Sequence, residues 1–170
     1  QHRMADIEHH MLKFLDNHDE QRLASPEFAG TPEKGKPLMV VSATISTAPT
    51  MIYFGQEVGE AGNENAGFGT HSRTSIFDYI GVPNHQRWMN GGKFDGGQLS
   101  QSEKDLRDFY KRLLNFSINS SALMGNFQEI QTANRNITPG YDIAIYSYTR
   151  WSETQKLIVV TNFYSLASSN

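Results

Sequence analysis

The residues best equipped for chemistry form one short run, Asp16-Asn17-His18-Asp19-Glu20-Gln21-Arg22. It follows directly on an apolar stretch, Met11-Leu12-Lys13-Phe14-Leu15. An imidazole and a carboxylate on one loop can grip hydroxyl groups together, since His18 donates or accepts hydrogen bonds and Asp19 accepts them. A carboxylate also suits the positive charge of an oxocarbenium-like transition state. Taken alone, an Asn-His-Asp triplet is more simply a loop ion pair or a cap. Arg22 reads as a partner of Glu20 or of backbone rather than as a ligand contact. A second polar cluster, Gly55-Gln56-Glu57, closes another apolar stretch, Thr50 to Phe54. Glu57 reads equally as a structural hydrogen-bond hub, because acids at strand ends often take that role. Arg73 and Trp88 lie further on in a glycine-rich segment. Trp88 sits beside Asn90, Gly91 and Gly92, whereas Trp151 reads as core.

The elements that must position these groups follow from periodicity and breakers. Residues 11–15 read as a buried strand ending in a polar loop. Ser25-Pro26-Glu27 carries a helix-start signal. Residues 38–46 are ambiguous: β-branched content favours strand, while their length and the closing Ala48-Pro49 favour a helix. Residues 50–54 read as strand, and 55–99 as a long functional loop. Ser100 and Glu103 form a capping box, followed by Leu106, Phe109, Tyr110, Leu113 and Leu114 at helical spacing. Beyond Asn119 the texture becomes antiparallel β, with strands expected near 127–130, 142–148 and 157–164. Trp151 to Gln155 reads as a hairpin loop, and Asn134 to Gly140 as turn. A domain boundary is expected near residue 118.

Composition excludes several classes. The 170 residues carry a formal net charge of -3 and no basic stripe, so no nucleic-acid partner is expected. No apolar run approaches membrane-spanning length, so no membrane association is expected. Absence of cysteine rules out disulfides and thiolate chemistry. His2, Glu8, His9 and His10 match no standard zinc spacing, so no metal is expected there. Asn115, Asn119 and Asn136 fit the glycosylation pattern, as chance alone allows. The first residues hold no apolar signal-peptide core. The sequence does not fix the compartment; among the possibilities an exported one, periplasmic or secreted, is slightly favoured.

The pattern Phe-x-x-Asn-His-Asp at 14–19 resembles the motif after the seventh barrel strand of the α-amylase family of glycoside hydrolases. Pro49 to Glu57 looks like that family's eighth strand with its Gly-Gln-Glu end, at fitting distance. Arg73, Ile76-Phe77-Asp78-Tyr79 and Trp88 make a looser third match. The resemblance implies an α/β plus all-β chain: the last strand–helix units of a TIM (β/α)8 barrel (1–117), then part of an antiparallel β-sandwich domain (118–170). It implies parallel pairing of 11–15 with 50–54, with Asp19 and Glu57 at one end. It implies a retaining hydrolase of starch or maltooligosaccharides. Asp19 would then stabilise the transition state. His18, Arg73 and Trp88 would contact sugar units, and Gln56 and Glu57 would shape the cleft floor. The family's nucleophile and general acid follow earlier strands, and neither motif is present here, so the chain alone is expected to be inactive. A transglycosylase of the same family (a branching enzyme or glucanotransferase) and a non-catalytic carbohydrate-binding homologue are the alternatives. No cofactor is expected in this stretch, with calcium left open for the whole protein. Two barrel strands with open edges would favour a homodimer, or else burial of those edges within a larger molecule.

Overall fold

The computed structural model describes residues 6–63, 73–74 and 81–164. These hold four helices, α1 (Pro32–Thr44), α2 (Pro83–Met89), α3 (Gln101–Asn119) and α4 (Gln131–Ile137). They also hold three strands, β1 (Asn126–Glu129), β2 (Ile145–Trp151) and β3 (Lys156–Asn162). The chain divides into two compact units. One, the sheet unit, comprises Gln1–Lys13, Pro37–Thr50 and Leu114–Asn170. The other, the loop unit, comprises Phe14–Lys36 and Met51–Leu113. The expected division at residue 118 is linear. The compact units are not, and α1 and α3 each give residues to both.

In the sheet unit, β1, β2 and β3 form one antiparallel sheet with β2 in the centre. Asn126 pairs with Trp151 and Glu129 with Tyr148, while Ile145 pairs with Asn162 and Trp151 with Lys156. Tyr148 is fully buried, and its hydroxyl meets Thr44 Oγ1 of α1 at 2.6 Å. Burial pushes that phenol up to about 12. Arg150 is also buried and donates to backbone carbonyls, Nη1 to Ile45 at 2.6 Å and Nη2 to Leu123 and Gly125. On β3, Ile158 and Val160 stay exposed on the other face.

Local chemistry explains the helices. In α3, Ser100 Oγ accepts the Glu103 N–H at 3.3 Å and Glu103 Oε2 accepts the Ser100 N–H at 2.7 Å, the reciprocal capping box. Its apolar stripe buries Leu106 and Tyr110. For the ambiguous stretch 38–46, the structure gives helix α1 through Thr44. Thr31 Oγ1 accepts the Lys34 N–H at 3.3 Å, and Pro32 sits at the first position. Pro37 lies inside the helix, and burial of Met39, Ala43 and Thr44 outweighs both it and the β-branched valines.

Several expectations are corrected. Residues 11–15 and 50–54 are not strands; they meet in a single parallel bridge, Lys13 to Thr50, with Lys13 N–H donating to Pro49 O at 2.9 Å. A strand needs a ladder of partners, and among the described residues these two segments share only that bridge. Met11, Leu12 and Phe14 are exposed rather than buried. The helix signal at Ser25-Pro26 yields turns instead. Gly30 N–H returns to Ser25 O at 2.8 Å and Ala29 N–H to Leu23 O at 3.1 Å, so the helix starts only at Pro32. Residues 131–137 form α4, which overlaps the first part of the turn expected over 134–140; the Glu129 carboxylate accepts the Thr132 N–H in its first turn at 2.8 Å. The glycine-rich stretch 55–99 contains α2. Residues 76–79 and His2 lie outside the described residues.

Candidate functional site

Asn17 shapes the loop that carries His18 and Asp19. Its side-chain oxygen accepts the N–H groups of Asp19 and Glu20, both at 2.8 Å. Asparagine favours this local bonding at chain reversals. The turn leaves the next two side chains outward: His18 is 52% and Asp19 76% exposed, with Nε2 3.4 Å from Oδ2. The Asp19 carbonyl accepts Arg73 Nη1 at 2.7 Å, bringing a residue 54 positions away to the same loop.

Beneath the loop lies a buried polar knot. Asp16 and Arg22 are both fully buried, with Oδ2 and Nη1 at 3.3 Å. Asp16 Oδ1 accepts the Leu23 N–H at 2.6 Å. Arg22 Nη1 also donates to Phe54 O at 2.8 Å, and Nε to Thr74 Oγ1 at 2.7 Å. The guanidinium lies 4.5 Å from the Tyr53 ring centre and 5.0 Å from that of Phe54. Burial pushes the Asp16 carboxyl above its usual range against the pull of Arg22, and draws Arg22 downward, since each charged form loses hydration.

The Gly-Gln-Glu segment starts at Gly55, whose φ of +84° suits glycine. Gln56 then turns inward, and its Nε2 donates to the Tyr110 hydroxyl of α3 at 3.1 Å. With 3% exposure, Gln56 supports the site from inside rather than facing a ligand. Glu57 is half-buried and adds to the field that holds the Tyr110 phenol protonated, after burial itself. The buried acid of this segment is Glu60. It accepts the Asn84 N–H in the first turn of α2 at 3.0 Å and the Gly62 N–H at 3.3 Å.

Trp88 belongs to an aromatic cluster on α2. It stacks on His85 at 5.6 Å and 25°, meets Phe94 edge-on at 5.8 Å, and has the Arg107 guanidinium 5.6 Å from its ring. His85 in turn meets Phe54 at 5.2 Å. The indole is therefore engaged by protein groups already.

The loop unit thus brings His18, Asp19 and Arg73 together on its surface and sets Gln56 inward. Sequence reasoning missed Glu60 and Thr74, gave Asp16 no role of its own and undervalued Arg22. The available signal was an Asp at the exact switch from apolar to polar with an Arg six residues on, since fully buried Asp and Arg require pairing. Chemically, the surface offers donors and acceptors for hydroxyl groups and one exposed carboxylate for positive charge. Among the described residues no cluster of three His, Asp or Glu side chains could hold a metal ion. A concavity of the sheet unit, about 580 Å³, is lined by residues such as Arg150, Phe127 and Tyr146 and by none of the six candidates. No protein-family model matches the chain, and no curated protein matches it.

Proposed function

We propose that this chain is the C-terminal part of an α-glucan-processing enzyme of the α-amylase family, ending its (β/α)8 barrel and beginning an antiparallel β domain. Asp19 is the carboxylate that stabilises the transition state of a retaining hydrolysis. His18 and Arg73 hold the sugar, and the attacking and proton-donating carboxylates come from elsewhere in the protein. The observation that carries this reading is the convergence of three separate segments. The 17–19 loop, the 53–57 segment and residues 73–74 are tied by Arg22 and Arg73 through the bonds to Phe54, Thr74 and Asp19. Loops after successive barrel strands must converge in this way at one end.

The test is a titration of the chain with maltoheptaose followed by amide NMR. Shifts are expected at 17–20, 56–57 and 73. Asp19→Asn should weaken binding about tenfold, as loss of a charged hydrogen-bond acceptor does. No reducing sugar should be released by the chain alone. Shifts confined to other residues, or binding indifferent to Asp19→Asn, would refute the assignment.

A further inference from the structure

Arg22 is inaccessible to any ligand, yet it touches all three segments that converge at the proposed site. Through Asp16 it holds the start of the loop that ends in His18 and Asp19. Through the Phe54 carbonyl it fixes the residue next to Gly55, where the Gly-Gln-Glu segment begins. Through Thr74 it fixes the neighbour of Arg73, the side chain that closes on the Asp19 carbonyl. The Tyr53 and Phe54 rings flank its guanidinium. A planar guanidinium can serve acceptors in several fixed directions at once, whereas an ammonium acts as a compact point charge.

We propose that Arg22 is the positioning residue of this site, setting His18, Asp19 and Arg73 in one geometry without touching the sugar itself. The sugar part of this statement rests on the reading above; the positioning part stands on the contacts alone. A simple loop salt bridge would need only Asp16. The bonds to Phe54 and Thr74, 32 and 52 residues away, are what make the guanidinium a junction.

Arg22→Lys separates the roles, since it keeps a cation for Asp16 and loses the fork. Amide hydrogen exchange at 17–20 and at Thr74 should rise about tenfold, while Leu106 and Tyr110 of α3 stay within about twofold of wild type. Maltoheptaose affinity should fall about tenfold with no loss of the folded state. Thr74→Val, which removes only the Nε acceptor, should raise exchange at Asp19 and Thr74 in the same sense, and it decides the matter if Arg22→Lys does not fold. Wild-type exchange at 17–20 in a folded variant overturns the proposal, as does an equal rise throughout α3, which marks general destabilisation. Failure of the wild-type chain to bind maltoheptaose overturns the sugar reading, while the exchange data still decide whether Arg22 sets the loop.

Discussion

Glu103 performs two tasks at the start of α3, and they can be separated by substitution. Its carboxylate closes the capping box with Ser100 and takes Arg87 of α2 on Nε at 3.0 Å and on Nη2. The Glu103 side chain is 10% exposed and that of Arg87 39%, so solvent screens the pair and its worth is about 1 kcal/mol. The cap adds about 1 kcal/mol more. Glu103→Gln keeps an oxygen for the Ser100 N–H and loses the ion pair, so about 1 kcal/mol should vanish at neutral pH. Glu103→Ala loses both, about 2 kcal/mol. In urea these correspond to midpoint decreases of about 0.5 M and 1 M. The pH dependence gives an independent check. Burial raises the Glu103 pKa, but Arg87 and Ser100 outweigh it and hold the carboxyl below 4.5. A depressed acid contributes stability above its unfolded value and loses it as pH falls through the folded one. The gap between wild type and Glu103→Gln should therefore be full at pH 6 and close progressively below about 4.5. Asp16 acts in the opposite sense, since burial lifts it above 3.8, but it is common to both proteins and cancels. Equal urea midpoints for wild type and Glu103→Ala, or a Glu103→Gln gap that persists at pH 3, would refute this account.

Two further outcomes follow from the sheet unit. Tyr148→Phe removes the hydroxyl bonded to Thr44, so stability should fall by about 1 kcal/mol near neutral pH, read from thermal melts. Burial pushes the folded phenol up to about 12 from the ordinary 10, so wild type should also lose stability as pH rises between these values. The variant should lose less there. Gly125→Ala would place a Cβ 2.0 Å from the Trp151 carbonyl, at the β1–β2 pairing. It should cost about 3 kcal/mol or more, and a melting temperature equal to wild type would contradict the geometry.

Features written in neighbouring residues were legible. The capping box of α3 and the existence of β2 and β3 need only a few positions, and the structure sets these elements within a few residues of the expected bounds. Features that depend on distant partners were not. The apolar stretches 11–15 and 50–54 look like strands, but strand hydrogen bonds must come from other segments, and only one bridge is formed. Valine-rich 38–44 folds as helix because Met39 and Thr44 are buried, which no local propensity encodes. Glu129, which reads as part of a strand, also accepts the Thr132 N–H in the first turn of α4. His18, Asp19 and Arg73 were named together only through the family resemblance, and the structure ties Arg73 to the Asp19 carbonyl. Their support was not legible, since Arg22 finds Phe54 and Thr74 far along the chain, and Gln56 turns inward to Tyr110.

The interleaving of the two units has a consequence for assembly. The chain passes from sheet unit to loop unit and back twice, after Lys13, Lys36, Thr50 and Leu113. Neither unit is a contiguous stretch, so no single proteolytic cut can release either one whole. To complete the sheet unit, residues 37–50 must meet those after 114 across an intervening length of about 60 residues, an entropic toll that grows only logarithmically with that length. Sequence-distant contacts of this sort delay folding far more than they weaken the finished protein. The three strands leave a ribosome well after α1, yet they hold the central tyrosine that bonds to it. Until they arrive, the buried face of α1 has no Tyr148 against it, and a nascent chain that stalls before residue 145 would display it.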